Sequence, residues 1–585
     1  MTNGHDYDVV VIGSGFGGAV TACRLAEAGN SVLVLERGHR WGPRKGHRDE
    51  WSESGEESGK DRDDQVKPFP RGPRDAWMWD HLHPEQSHGW IDYRKFPHMG
   101  VIQGSGVGGG SLIYANILID AAPSSFQAGW PREIDWECLQ PYYRRVERML
   151  EPRPVPERQW SERVKLLKEA AEKNDWGARF QPLDLAVRFD DQLTYESSQR
   201  PSPHWTKRRQ NPHGAWQGTC AHLANCDIGC DVGARNSLDK NYLFVAEKHR
   251  AKVWPLHLVR TIAPEDTGYR VYFDRIGDGR LDPGSVSGRT VIVAAGSLGS
   301  TELLLRCKEQ YGTLPNLSQF LGKNWSSNGD FLTAAFHFLR KTLYPGRGPT
   351  FTGRLQFLDG TVGRTASGGG PRFNIEDGGF PYQATRALIR QLARQPSQAK
   401  GLTATCVRLG VLVTGAVFGA CHWLSRRALL NPLQGLVERL DPINHMMPWV
   451  AQGQDAADGI LSLKNGELSL DWPYKDPATV SVIDSIYKTH QRLARSTRGI
   501  VLPQITWTWF HWLITPHPLG GCNMGQDAEH GVVDHKGEVF GYKGLYVADG
   551  AIIPEGLGIN PSKTIAALAE RIAEHIIRDR PRGVD

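Results

Sequence analysis

His517 stands between two prolines in the stretch ITPHPLGG, residues 514–521, and a pair of glycines follows it. Proline fixes the backbone on either side of the imidazole, and glycine lets another group approach closely. A neutral imidazole, whose ordinary pKa is about 6.5, is a good proton acceptor near neutral pH. His517 is therefore a candidate general base, although a histidine in isolation is more often solvated and without chemical function.

A glycine-rich turn near the start of the chain indicates a second kind of chemistry. Gly13, Gly15 and Gly18 follow the apolar run 9–12 with GxGxxG spacing, and an acid, Glu36, ends the next apolar run. Such glycines permit a tight turn, close approach of a pyrophosphate and close packing of helix on strand. The order strand, glycines, helix, strand and acid predicts a dinucleotide site, but it does not distinguish NAD from FAD.

Two further stretches point to the same kind of ligand. Residues 104–111, GSGVGGGS, form a second glycine-rich segment, either a mobile surface loop or a backbone that touches a flat ring or a phosphate. Near the C-terminus an apolar run ends in Asp549, and a helical stripe begins shortly afterwards. Asn560 and Pro561 are predicted as the N-cap and first residue of that helix.

These motifs together carry a family resemblance. The pieces VVVIGSGFGGAV, GVGGGSL, VIVAAGSLGSTELLL, HPLGGC and GLYVADGAIIPEGLGINP resemble glucose-methanol-choline (GMC) flavin oxidoreductases, most of all the cholesterol oxidase branch. The resemblance implies FAD as cofactor and oxidation of an alcohol by hydride transfer to flavin N5. It assigns these positions to FAD binding: Gly13, Gly15, Phe16, Gly18, Glu36, Gly104, Gly106, Gly109, Gly110, Ser111, Asn116, Val259, Ala295, Gly296, Asp549, Gly550, Asn560 and Pro561.

The resemblance also implies three catalytic residues. His517 would accept the hydroxyl proton, and Asn560 would orient the hydroxyl, although a simple N-cap is its alternative role. Glu376, in PRFNIEDGGFP, matches a short stretch in which cholesterol oxidases carry a glutamate that moves a proton during double-bond isomerisation. An exposed loop carboxylate is the alternative for Glu376, and Asp377 competes with it for the role.

Composition limits the class of protein. The chain has 585 residues, a formal net charge of +5, 39% hydrophobic residues and nine cysteines. This length favours two or more soluble domains, and so small a charge gives no footprint for nucleic acid. The polar start MTNGHDYD leads directly into an apolar strand pattern, so we expect no secretory signal peptide. The odd number of mostly separated cysteines makes a disulfide framework unlikely, so we expect a cytoplasmic protein.

Three other stretches allow more than one interpretation. Cys220, Cys226 and Cys230 are either free thiols, which we favour, or ligands of an iron–sulfur cluster or metal. The apolar stretch 409–424 is too short to span a bilayer, and it is either a buried helix or part of a lid (402–424) that makes peripheral membrane contact. The aromatic run WTWFHW, residues 507–512, is typical of a strand packed on a core or lining an apolar pocket.

The predicted fold is α/β, with a Rossmann-type FAD domain and a discontinuous α+β substrate domain built on an antiparallel or mixed sheet. The FAD domain comprises 1–120, 215–329 and 513–585, with a loop-rich insertion at 40–92. The substrate domain comprises 330–512, with a helical insertion at 382–448.

The predicted substrate is a bulky hydrophobic alcohol, first of all a 3-hydroxysterol or steroid, and the sequence leaves the electron acceptor open. One alternative is a sugar or polyol dehydrogenase that passes electrons to a cluster at Cys220, Cys226 and Cys230. The other is a non-catalytic, flavin-stabilised lipid-binding protein.

Overall fold

A computed structural model describes most of the chain. The described residues are 5–43, 66–69, 77–86, 89–127, 129–196, 199–277, 279–337, 340–361, 369–381, 441–501, 507–508 and 511–579. Within these ranges, no helix is both long and apolar enough to cross a membrane.

The described residues contain both helices and strands. The α-helices are α1 (Phe16–Glu27), α2 (Trp136–Leu150), α3 (Glu162–Glu172), α4 (Tyr242–Lys248), α5 (Gly296–Leu305), α6 (Pro477–Ser496) and α7 (Ser562–Arg578). The strands are β1 (Tyr7–Ile12), β2 (Val32–Glu36), β3 (Arg40–Gly42), β4 (Val66–Pro68), β5 (Met78–Trp79), β6 (Ile91–Phe96), β7 (Met99–Gly104), β8 (Phe180–Pro182), β9 (Arg209–Gln210), β10 (Trp216–Gln217), β11 (Lys252–Pro255), β12 (His257–Pro264), β13 (Tyr269–Ile276), β14 (Leu281–Val293), β15 (Phe331–Phe336), β16 (Gly353–Phe357), β17 (Phe373–Asp377), β18 (Met446–Gly453), β19 (Ile460–Lys464), β20 (Glu467–Asp471), β21 (Ile500–Val501), β22 (Leu513–Thr515) and β23 (Leu545–Val547).

A seven-stranded sheet confirms the Rossmann-type prediction. Its order is β11-β2-β1-β14-β13-β12, and β23 pairs with the end of β14. The strands β11, β2, β1, β14 and β23 are parallel, and helices α1 and α7 pack against each other. Val10 and Val11 are fully buried, as the continuous apolar run predicts for an inner parallel strand. Gly18 is required by packing, because a Cβ there would lie 2.0 Å from the carbonyl oxygen of Gly13.

A second, six-stranded sheet has the order β21-β15-β18-β17-β16-β8 and is antiparallel throughout. Side chains alternate between its faces. Phe373 and Ile375 of β17 belong to an apolar core shared with α6, whereas Asn374 and Glu376 form a polar group with Gln452 on the opposite face. The predicted antiparallel or mixed sheet is thus present, and β8 extends it with residues that precede the predicted 330–512 segment.

A third sheet connects the histidine to the second glycine-rich segment. Strand β22, which ends two residues before His517, runs parallel to β7, and Thr515 lies opposite Val101. Strand β7 ends at Gly104 and leads into the turn Gly109–Leu112. Because parallel neighbours end at the same edge of a sheet, the glycine segment and the histidine emerge side by side.

Two local predictions are wrong. Trp507 and Thr508 are helical, and His511 has a left-handed φ of 45°, which breaks the extended backbone of a strand. Residues 441–448 are not part of a helical insertion, because they form a 3-10 turn, Pro442–His445, and the start of β18. The rest of that insertion, 382–440, including the apolar segment 402–424, lies outside the described residues.

A buried ion pair joins α3 to the six-stranded sheet. Arg163 and Asp377 are both fully buried, and Nη1 of Arg163 lies 2.8 Å from Oδ2 of Asp377. Arg163 also donates to the carbonyl oxygens of Arg347, Pro349 and Thr350. These bonds fix the chain that leads into β16, next to the polar face of the sheet.

We expect Arg163→Met to destabilise the protein strongly, because it leaves the Asp377 carboxylate buried without its partner. The cost of breaking such a pair is about 3–5 kcal/mol. A matched control on the same helix is Lys165→Met, which removes an exposed pair with Glu162 at 2.9 Å and should cost less than about 1 kcal/mol. Denaturant midpoints compare the two, and equal midpoints would contradict the assignment of Arg163 to the core.

Candidate active site

One large cavity, of about 1640 Å³, runs between the three sheets. His517 borders it, and most of the positions predicted to bind FAD do so as well. Those that line it are Gly13, Gly15, Phe16, Glu36, Gly104, Gly109, Gly110, Val259, Ala295, Gly296, Asp549, Gly550, Asn560 and Pro561. Motifs from both ends of the chain therefore meet around one space.

Five predicted site residues do not line this cavity. Gly18 serves packing, and Gly106 lies so close to other backbone that a Cβ would be 2.7 Å from the carbonyl oxygen of His39. The Ser111 hydroxyl is used internally, because it donates to Gly108 O and accepts from Leu238 N. The other two are Asn116 and Glu376.

Asn116 is fully buried and has a left-handed φ of 67°. Its neighbours Tyr114, Ala115 and Ile117 line the cavity, whereas its own amide has no hydrogen-bond partner among the described residues. Direct contact between Asn116 and the cofactor is thus not supported by this geometry, and the neighbouring residues take its place at the wall.

The glycine end of the cavity fits a dinucleotide. Helix α1 begins at Phe16 without a side-chain cap, so its first N–H groups are available to phosphate. Gly15 and Gly110 line the cavity and have little or nothing within 4 Å of where a Cβ would be, which leaves space for a ligand against bare backbone. The carboxylate of Glu36 accepts from the Ser14 amide at 3.1 Å and from its hydroxyl at 2.6 Å, which ties the turn to β2.

Asp549 holds two turns together at the other side of the cofactor space. Its Oδ2 accepts from the Gly296 amide at 2.7 Å, and its Oδ1 accepts from the Ala551 amide at 2.8 Å. Helix α7 starts nearby at Ser562, again without a side-chain cap. A bare helix N-terminus beside this acid fits the polar edge of a flavin, and the residues present therefore fit FAD.

The imidazole of His517 is held by a carboxylate that the sequence did not reveal. Nδ1 of His517 lies 2.8 Å and 3.0 Å from the two carboxylate oxygens of Asp330. Thr515 completes the contact: its hydroxyl donates to Asp330 at 2.6 Å and accepts from the His517 amide at 2.9 Å. With Nδ1 engaged in this way, Nε2 is the nitrogen left for a ligand.

Charge around His517 outweighs its burial. Burial alone lowers the pKa of the imidazole, but the contact with Asp330 and the nearby carboxyl groups of Glu376 and Asp227 raise it, and the net pKa is raised. The positive form of the ring is thus stabilised by three acids.

Glu376 lies behind the cavity wall. Burial raises its pKa to about 7, against the lowering effect of His517, Arg354 and a hydrogen bond with Asn560. Asn560 borders the cavity and is not the N-cap of α7: Pro561 occupies that position, and the Asn560 amide is turned to Glu376 instead. Asp377, the competitor for the role of Glu376, is a structural residue because Arg163 and Thr352 engage it.

Asp227 is the other acid that sequence reasoning missed. It belongs to the 3-10 turn Cys226–Ile228 and lines the cavity that contains His517. Burial raises its pKa to about 7, although Arg235, His517 and Arg163 lower it. The sequence offered one signal only, its place between two of the three clustered cysteines.

The cysteines themselves are free. Cys220 and Cys226 are buried, Cys230 is half-buried, and none forms a disulfide within the described part of the chain. Within the described part of the chain, no group of three or more Cys, His, Asp or Glu side chains is arranged to hold a metal ion.

Comparison with known proteins agrees with the geometry. A family model described as GMC oxidoreductase matches residues 474–569, and one described as an NAD(P)-binding Rossmann-like domain matches 11–53. A cholesterol oxidase of Acinetobacter baumannii is 29% identical over 98% of this chain and 95% of its own length. The fructose dehydrogenase large subunit of Gluconobacter japonicus is 24% identical over 98% of both chains.

A solved structure supports the fold. Formate oxidase of Aspergillus oryzae superposes with a TM-score of 0.59 at 14% identity and covers 99% of both chains. The family models, the full-length relatives and a histidine-bearing cavity shaped for a dinucleotide lead to one conclusion: the chain resembles the GMC oxidoreductases over nearly its whole length and is an FAD-dependent alcohol oxidoreductase.

Proposed function

We propose that the protein oxidises a bulky hydrophobic alcohol, first of all a 3-hydroxysterol or steroid, with His517 as the base. The observation that carries this proposal is the imidazole of His517, fixed through Nδ1 by Asp330 at the wall of a cavity large enough for a cofactor and a bulky substrate. A base held in this way needs no reorganisation when the substrate arrives.

The proton step follows from the hydrogen bonds of the imidazole. Asp330 accepts from Nδ1–H, so the neutral ring presents the lone pair of Nε2 to the substrate hydroxyl. When Nε2 takes the hydroxyl proton, Asp330 stabilises the positive ring that results. Bound FAD supplies the acceptor for the hydride that leaves the carbinol carbon.

Asn560 and Glu376 have supporting roles in this proposal. The Asn560 side chain borders the cavity beside Glu376, and its Oδ1 has no hydrogen-bond partner among the described residues, so it can orient the substrate hydroxyl. Glu376, with a pKa raised to about 7 by burial, can hold or release a proton near neutral pH. We assign it the movement of a proton within the oxidised product, as the family resemblance implies.

The substrate class is supported by the wall and by similarity. Aromatic and aliphatic side chains border the cavity near His517: Phe331, Leu332, Phe351, Phe380, Val450, Trp512 and Ile514. An apolar wall of this kind favours a sterol-like skeleton over a sugar, which would leave its hydroxyl groups unpaired. Similarity to cholesterol oxidases points the same way, and similarity to a fructose dehydrogenase subunit keeps sugars as the alternative.

Anaerobic titration of the flavin spectrum tests the substrate class. We expect 3-hydroxysterols to bleach the flavin band, and sugars such as fructose to leave it unchanged at the same concentration, because only the former match the apolar wall. Readmission of air then shows whether dioxygen restores the band. Bleaching by sugars alone would contradict the proposal and favour the sugar dehydrogenase, and no bleaching by any alcohol would favour the non-catalytic alternative.

Asp330→Asn should shift the pH dependence of flavin reduction to lower pH. The base must be neutral to act, so the rate rises as pH increases through the pKa of His517, which Asp330 raises. Without that charge the pKa falls and the midpoint follows it. The plateau rate should also fall roughly 10- to 100-fold, because the developing imidazolium loses a charged hydrogen bond.

A matched control removes a neighbour of Asp330 but keeps its charge. Thr515→Val deletes the hydroxyl that donates to Asp330. Its pH midpoint should move less than that of Asp330→Asn, because the charge of Asp330 remains, in stopped-flow reduction by the same alcohol. An Asp330→Asn midpoint equal to that of Thr515→Val would rule out the proposed effect of the Asp330 charge.

A further inference from the structure

Three acids surround the imidazole of His517, and they differ in how their oxygens are used. Asp330 is bound to His517 and Thr515. Glu376 accepts from Asn374 at 2.9 Å and interacts with Asn560. The third acid, Asp227, accepts no hydrogen bond from any of the described residues, yet its side chain lines the cavity.

Asp227 is half-buried at the cavity wall, and a substrate that fills the cavity would remove its carboxylate from water, which is costly unless the substrate supplies a hydrogen-bond donor. The pKa of Asp227 is already raised to about 7 by burial in the cavity wall. The neighbouring arginines do not donate a hydrogen bond to Asp227 either. Arg163 is committed to Asp377 and to backbone carbonyls, and Arg235 donates to the carbonyl oxygens of Ser111, Leu112 and Cys226.

The backbone that carries Asp227 is fixed relative to the glycine segment. Arg235 bridges the two, since the same Nη1 bonds Cys226 O at 2.8 Å and Leu112 O at 2.9 Å. On the far side of the turn, the Asn225 amide donates to Asp231 at 3.0 Å, and the Ala224 amide donates to Gly348 O at 2.9 Å. The carboxylate is thus presented from a tied turn rather than from a free loop.

We propose that Asp227 is a specificity-determining residue that binds a second hydrogen-bond donor, a hydroxyl or a protonated amine, carried by the substrate close to the reacting carbinol. This inference rests on the proposed function, and it narrows the substrate to apolar alcohols with a neighbouring donor. The donor lies near the carbinol because Asp227 and His517 border one cavity and influence each other electrostatically.

Polar recognition of this kind is selective. A site that presents an unpaired acceptor rejects the analogue that lacks the donor, because the acceptor then stays buried and unsatisfied. The apolar wall and Asp227 would therefore act together: the wall selects the skeleton, and the carboxylate selects the substituent. Both features concern binding, so they should affect the dissociation constant more than the rate of hydride transfer.

The test uses three alcohols on one steroid skeleton: a 3-hydroxysteroid, the same compound with a hydroxyl on an adjacent ring carbon, and the same compound with an amine there. Dissociation constants come from the concentration dependence of flavin reduction in the FAD-loaded enzyme. We expect wild type to bind one of the two bifunctional alcohols roughly 10- to 100-fold more tightly than the mono-alcohol. Asp227→Leu should abolish that preference, so that the three alcohols bind with similar dissociation constants.

Asp227→Asn separates the two donors. The asparagine carbonyl still accepts from a hydroxyl, so a retained preference for the diol indicates a hydroxyl donor. Asparagine cannot balance a positive charge, so a lost preference for the amino alcohol indicates an ammonium donor. Asp231→Asn, three residues after the turn and outside the cavity wall, is the matched control: the new side chain keeps a carbonyl oxygen for the Asn225 amide, so the wild-type preference should remain.

Flavin content and thermal midpoint are measured for every variant. Loss of FAD from Asp227→Asn would assign the acid to the cofactor and overturn the inference. Equal changes for all three alcohols, or no preference in wild type, would overturn it as well. Failure of the proposed function looks different, because wild-type flavin would then be bleached by none of the three compounds.

Discussion

The contact between the Asp330 carboxylate and Nδ1 of His517 is the interaction on which the rest of the site depends. It sets the orientation of the ring and leaves Nε2 as the free acceptor. Asp330 immediately precedes β15 of the six-stranded sheet, and His517 follows β22 of the sheet that leads to the glycine segment. The proposed base therefore depends on two sheets held in fixed register, and Thr515 bonds to both members of the pair.

The cofactor side depends on a different constraint, the close approach of backbones. A Cβ at Gly17 would lie 1.5 Å from the carbonyl oxygen of Ala548, and one at Gly109 would lie 2.6 Å from the Cα of Gly15. Three distant parts of the chain thus touch through main-chain atoms, which only glycine permits at these positions. The same contacts bring Asp549 and the start of α7 to the cavity, so packing and cofactor binding have a common origin.

Features with a local signal could be predicted from the sequence. The Rossmann-type strands, the glycine turns and His517 each carry their own pattern of spacing. Asp330 has none, because it is 187 residues from His517 and is defined only by the contact between the sheets. Asp227 could not be assigned from the sequence either, because only the fold brings it to the cavity that contains His517.

Some local patterns are misleading. The aromatic run 507–512 has the alternation of a strand, but the left-handed backbone at His511 breaks it. Trp507 still packs in the core, and Trp512 reaches the cavity. The local signal at Asn560 predicts the N-cap of α7, but Pro561 is the N-cap and the Asn560 side chain lies beside Glu376 instead.

His517 is proposed to take the substrate proton, and the rate of flavin reduction in His517→Ala tests this role most directly. The variant should retain FAD and lose roughly 10²- to 10⁴-fold in rate, the usual contribution of a positioned base. His530→Ala provides the control, because His530 forms a comparable pair with Asp527 on the exposed surface and should keep the wild-type rate. A His517→Ala protein that binds FAD and is reduced by the alcohol as fast as the wild type would contradict the account.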